Sequence, residues 1–148
     1  YSQLGATCIL LGKTVSKLEQ VYDQIEQSGG NEPAIVPMDL RGATAQNYKD
    51  MGATIIDQFG RLDGLVHNAS MLGMLCPFAQ IKVDEWNDIM QVNVTAPLTL
   101  IPQSQPQMIE RGFGRIISVS SSYGSLPEGL KGPLANKSTA IIISIQKL

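Results

Sequence analysis

Arg61-Leu62-Asp63-Gly64-Leu65-Val66-His67-Asn68-Ala69-Ser70 is the stretch on which the fold of this chain turns. Leu62, Leu65 and Val66 make a short apolar run of the kind required by a strand buried on both faces. The run then gives way abruptly to polar and small residues, His67 to Ser70. In an open parallel sheet, ligands bind beyond the carboxyl ends of the strands. An asparagine followed by small residues at such an end lets a flat ligand approach the backbone closely.

Reading outward, the segment before this strand is helical and ends at Phe59-Gly60. Thr44 can cap it, and Tyr48, Met51, Ile55, Ile56 and Phe59 form its buried stripe. Earlier still, Tyr1 to Leu4 reads as the tail of a helix stopped by Gly5. A strand follows from Ala6 to Leu11, closed by Gly12. A helix capped by Thr14 then runs to about Ser28, with Val15, Leu18, Val21 and Ile25 on one face. A second strand spans Ala34 to Met38, and Pro37 places it near a sheet edge. Downstream, a helix capped by Asp84 carries Trp86, Ile89, Met90 and Val94 on its apolar side. It breaks near Asn93 and resumes to about Glu110. Pro97 suits the first turn of the second piece, whereas Pro102 does not suit its interior. Arg115 to Ser120 is the fourth strand, and Pro133 to Leu148 reads as a last helix.

Strands alternating with helices in this way specify a doubly wound parallel α/β sheet with helices on both faces. One Rossmann-like domain over residues 1–148, incomplete at both ends, is the expectation. The strand ends Gly12-Lys13, Asp39-Leu40, Asn68-Ala69-Ser70 and Ser120-Ser121-Ser122 should share one rim.

The 148 residues are 43% hydrophobic and 16% charged, which suits a globular domain. A net charge of −2 gives no reason to expect nucleic acid or an anionic membrane as partner. No apolar run is long enough to cross a bilayer. Cys8 and Cys76 lack metal-ligand spacing, so no metal site is expected. Three Asn-x-Ser/Thr triplets, at Asn68, Asn93 and Asn136, have no secretory signal beside them, and a cytoplasmic location is expected.

Taken together, Leu62-Asp63-Gly64-Leu65-Val66-His67-Asn68-Ala69, Met90-Gln91-Val92-Asn93-Val94, the serines at 120–122 and Lys137 resemble the short-chain dehydrogenase/reductase family, in its oxoacyl reductase-like branch. The resemblance runs from about Leu4 to Ala140. It implies hydride transfer between a nicotinamide cofactor and a small-molecule carbonyl or alcohol, in a homodimer or homotetramer. By motif, Asn93 takes the role of the asparagine that holds a water, Ser121 that of the serine that hydrogen-bonds the substrate oxygen, and Lys137 that of the lysine that lowers a tyrosine pKa. Gly12, Lys13, Asp39, Leu40, Asn68, Ala69 and Ser70 fall on the cofactor-binding positions. Relatives that use NAD place a carboxylate near Gly12-Lys13. A lysine there implies NADP, with NAD the lesser choice.

Three departures stand out. The family's tyrosine precedes the lysine by four residues, and that position is Pro133; Tyr123 is the nearest alternative acid. Ser70 replaces the glycine of Asn-Ala-Gly. The family's glycine-rich phosphate loop is not found in the sequence. These departures raise an alternative, a non-catalytic relative that binds a nucleotide or a protein partner.

Overall fold

The computed structural model describes residues 1–74 and 76–120. Ser121, Ser122, Tyr123, Pro133 and Lys137, together with the helix expected from Pro133 onward, lie outside the described residues. The chain divides into two compact units, residues 1–42 and the remainder from Ala43. Each holds one parallel strand pair.

In the first unit, Ser2–Leu4 form a 3₁₀ turn closed by Gly5 at φ 88°. Strand β1 (Ile9–Gly12) and strand β2 (Ala34–Pro37) flank helix α1 (Val15–Gln27). The strands run parallel, with Ile9 opposite Ala34 and Gly12 opposite Pro37. Gly12 therefore lies within β1 rather than after it. The N–H groups of Ala34 and Met38 each donate to β1, to the Cys8 and Gly12 carbonyls at 2.9 Å. Pairing alternates along a strand, so the Pro37 nitrogen faces away from β1 and its missing N–H disturbs nothing.

The four-residue apolar face expected on α1 is only partly covered. Leu18 is buried, while Val15 and Val21 are exposed. Thr14 holds the N-cap position without a side-chain hydrogen bond.

In the second unit, helix α2 (Ala45–Phe59) begins with a full capping box. Thr44 Oγ1 accepts from the Asn47 N–H at 3.3 Å, and Asn47 Oδ1 accepts from the Thr44 N–H at 2.9 Å. Two of the four orphan donors at the helix start are thereby satisfied. Gly60 ends α2 at φ 71°, a conformation that costs glycine little. Tyr48 and Ile55 are buried, and Phe59 is 37% exposed.

Strand β3 (Gly64–His67) pairs in parallel with strand β4 (Arg115–Ser118), Gly64 opposite Arg115 and His67 opposite Ser118. The expectation that β3 is buried on both faces fails. Leu65 is half-buried and His67 buried, but Val66 between them is 45% exposed. This alternation is that of a strand covered on one face only. Arg111 anchors the entry to β3, donating to the Leu62 carbonyl at 2.7 Å and to Asp63 Oδ1 at 3.2 Å.

Between the strands lie helix α3 (Val83–Met90), a π turn (Gln91–Thr95) and helix α4 (Ala96–Glu110). Lys82, not Asp84, is the N-cap of α3. Asp84 and Glu85 lie in its first turn, where their charge complements the helix dipole. The break expected near Asn93 is the π turn, which keeps the chain helical while inserting a residue. α4 runs through Pro102 and Pro106. Each removes a donor from the carbonyl four residues earlier, Leu98 and Pro102. Both of those residues are exposed, within reach of water.

Candidate functional site

Parallel pairing brings the carboxyl ends of each pair together. In the first unit, Lys13 follows β1 and Asp39-Leu40 follows β2. Lys13 is exposed, and among the described residues it makes no salt bridge. Leu40 is buried. The Asp39 carboxylate is held by Arg41, two residues on. The Arg41 N–H donates to Oδ1 at 3.1 Å and Nη2 to Oδ2 at 2.9 Å. These hydrogen bonds, with the through-space charge of Arg41 and Lys13, hold the Asp39 carboxyl below its ordinary value of 3.8. Arg41 was missed in the sequence. The signal was an Asp-x-Arg spacing at a strand end, which a surface pair with no function would also produce.

In the second unit, Val119 beyond β4 donates its N–H to the His67 carbonyl at 3.0 Å. The ends of β3 and β4 are thus joined at His67. The chain then turns: the Asn68 N–H donates to the Val66 carbonyl at 3.1 Å. Asn68, Ala69 and Ser70 are all exposed at this end of the strand.

Asn93 is fully buried, at 0% exposure. Its amide closes a two-bond ring with one backbone residue. Oδ1 accepts from the Met71 N–H and Nδ2 donates to the Met71 carbonyl, each at 2.8 Å. A side chain that carries a donor and an acceptor on two separate atoms, as the amides of Asn and Gln do, matches the N–H and C=O of the residue it faces. The π turn holds Asn93 in place: the Ala96 N–H donates to the Gln91 carbonyl, five residues back. In an α-helix the Asn93 carbonyl would take the N–H of residue 97. That residue is Pro97, which has none.

Asn68–Ser70 and Asn93 thus converge through Met71 in the second unit, and Gly12, Lys13, Asp39 and Leu40 cluster in the first. Among the described residues no group of three His, Cys, Asp or Glu could hold a metal ion. No helix of the described residues is long and apolar enough to cross a membrane.

A family model described as short chain dehydrogenase matches residues 1–132. The chain belongs to the short-chain dehydrogenase family. An uncharacterized oxidoreductase of Escherichia coli, YciK, is 37% identical over 124 residues, 84% of this chain and 49% of that protein. A crystal structure of a short chain dehydrogenase from Shigella flexneri 2a strain 301, complexed with NADP, superposes with a TM-score of 0.90 at 32% identity, covering 98% of this chain and 62% of that one. The structure of the Escherichia coli oxidoreductase yciK gives a TM-score of 0.90 at 34% identity, covering 99% of this chain and 60% of that one. The fold is therefore that of the short-chain dehydrogenase Rossmann type. The chain spans about half the length of the curated relatives it matches.

Proposed function

We propose that the full-length protein carrying this short-chain dehydrogenase sequence is an NADP(H)-dependent oxidoreductase acting on a small carbonyl or alcohol. The observation that carries this reading is the buried Asn93, clamped in a π turn beside the carboxyl end of β3. A fully buried amide devoted to one backbone residue is expensive to leave half-satisfied, and it fixes the segment that follows Asn68-Ala69-Ser70.

The donor set fits NADP. Lys13 is an exposed cation without a salt bridge among the described residues, able to neutralise a 2′-phosphate. Asp39, already engaged by Arg41, offers a ribose little free carboxylate charge. By the family resemblance, Gly12 and Leu40 in the first unit, and Asn68, Ala69 and Ser70 in the second, are each proposed as cofactor-binding residues. When bound, the nicotinamide would supply the hydride. Asn93 would act by holding Met71 and, at its backbone carbonyl, by accepting from a water, since Pro97 offers no N–H there. Ser121 would hydrogen-bond the substrate oxygen, and Lys137 would place positive charge beside the proton donor. A cytoplasmic homodimer or homotetramer completes the proposal. NADP-bound relatives such as the Shigella enzyme support the cofactor choice.

A second reading, a non-catalytic nucleotide- or protein-binding relative, is favoured by Pro133 and Ser70, which stand where the family has tyrosine and glycine. The test is NADPH oxidation by the full-length protein against small ketones and oxoacyl thioesters. Turnover should be slow with Pro133 and rise about 10²–10⁴-fold in Pro133→Tyr, the usual worth of a positioned acid. NADPH should bind more tightly than NADH, and Lys13→Asp should erase that preference. Ready turnover with Pro133 retained would move the proton donor to Tyr123. Bound NADPH with no gain from the added tyrosine would establish the second reading.

A further inference from the structure

The segment after Ser70 is fastened at two points, and only one of them belongs to the family motif. At Met71 the fastener is Asn93. At Met74 it is Glu85: the carboxylate in the first turn of α3 accepts the Met74 N–H across 11 positions of sequence. Between them Gly73 adopts φ 77°. A Cβ on Gly73 would stand 2.4 Å from Ile89 Cδ1 and 3.0 Å from Glu85 Oε1. Glycine is therefore required twice over, by the left-handed backbone and by the approach of α3. Ile89 is almost wholly buried at 1% exposure, so its side chain has little freedom to retreat.

From this we infer that Glu85 is a positioning residue of the proposed active site, acting through Met71 and Asn93. The inference rests on the functional reading above. Glu85 acts by constraint. Two hydrogen bonds at Met71 fix the peptide units on either side of its Cα but leave the chain beyond them free to pivot. The charge-assisted bond at Met74 removes that pivot. Gly73 lets the intervening backbone lie flat against Ile89. Helix α3 and the π turn are continuous in sequence, Val83–Met90 and then Gln91–Thr95. Glu85 and Asn93 thus hold the same four residues from a single helical rod. Leu72 and Met74 remain exposed, 45% and 63%. The segment therefore owes its conformation to the rod and not to burial of its own side chains.

The test uses the full-length protein and two readouts. Amide hydrogen exchange at Met71 and Met74 reports the clamp whether or not turnover occurs, and steady-state kinetics with NADPH reports its consequence. Glu85→Ala should abolish protection of the Met74 amide and lower kcat/KM by up to about 10²-fold, the cost of small misplacement of reacting groups, with NADPH affinity unchanged. Glu85→Gln keeps an acceptor oxygen and should restore both protection and rate. Unaltered Met74 exchange in Glu85→Ala would overturn the inference, as would unaltered kcat/KM beside lost protection. A parallel loss of NADPH affinity and thermal stability, unrelieved by Gln, would reduce Glu85 to a general structural role and overturn it too. If no variant of the protein turns over, including Pro133→Tyr, the functional reading fails and the positioning role falls with it. The Met74 exchange result would still decide the clamp itself.

Discussion

The two units solve the same problem, fixing a chain as it leaves a strand, by opposite means. After β2 the fastener is Arg41 on Asp39, two residues apart, with both side chains over a third exposed. After β3 it is Asn93 on Met71, 22 residues apart, with the Asn93 amide buried and Met71 half-buried. The first arrangement is wet, local and charged. It can exchange one anion for another at small cost, because water screens each state. The second is half-buried, long-range and neutral. It is costly to exchange, because nothing replaces the partners of the buried Asn93 amide once they are withdrawn. The contrast suits a family in which a cofactor comes and goes over a fixed frame.

Breaking the half-buried clamp should have the largest effect. Asn93→Leu keeps the side-chain volume but strands the Met71 N–H and carbonyl. Each unsatisfied buried group costs about 1–3 kcal/mol, so a loss of about 3 kcal/mol is expected from urea unfolding. Arg41→Ala, read the same way, should cost less than about 1 kcal/mol. Equal losses would abolish the distinction between the two ends.

The helix starts offer the next comparison. Thr14 and Thr44 read alike in sequence, each a threonine ahead of a helical stripe. Only Thr44 has a reciprocal partner, Asn47, whereas Thr14 makes no side-chain bond. Thr44→Ala should lower stability by about 1 kcal/mol, and Thr14→Ala by only a few tenths. Thermal melts of the two variants against the parent decide it. A large effect at Thr14 would mean that its hydroxyl caps α1 in solution.

These pairs also explain what was legible beforehand. Alternation of strand and helix was plain, since periodicity is a property of neighbours in sequence. Asn93 was found by motif, and its helix break by Pro97 and the interrupted stripe. The exposure of Val66 and the start of α3 at Val83 were misread, whereas the run of α4 to Glu110 was expected even though Pro102 did not suit its interior. Both misreadings depend on how much surface the tertiary packing covers, which a window of residues does not contain. Glu85 was invisible for the same reason. Its partner is a backbone N–H, which carries no residue identity. Asn47 was overlooked as the reciprocal cap because the familiar box places Glu or Gln there.

The smallest expected effect concerns the charge at Asp39, and it tests whether the wet end is as exchangeable as its geometry implies. Arg41, by hydrogen bonding first and charge second, lowers the Asp39 pKa from 3.8. A carboxyl whose pKa is lower in the folded than in the unfolded state stabilises the fold fully above the unfolded value. That contribution is lost as pH falls through the folded value. It should therefore be constant at neutral pH and disappear only below about pH 4. With the pair 40–45% exposed, its size should stay below about 1 kcal/mol. NMR titration of the Asp39 carboxyl should show a midpoint below 3.8, and Arg41→Ala should move it upward toward the ordinary value. Lys13, which lowers it only weakly and through space, should leave a residual depression that added salt removes. If instead Asp39 titrates normally in the parent protein, Arg41 does not hold it in solution. Its carboxylate would then be free to meet ribose hydroxyls, and the expected preference for NADP over NAD would lose one of its three supports.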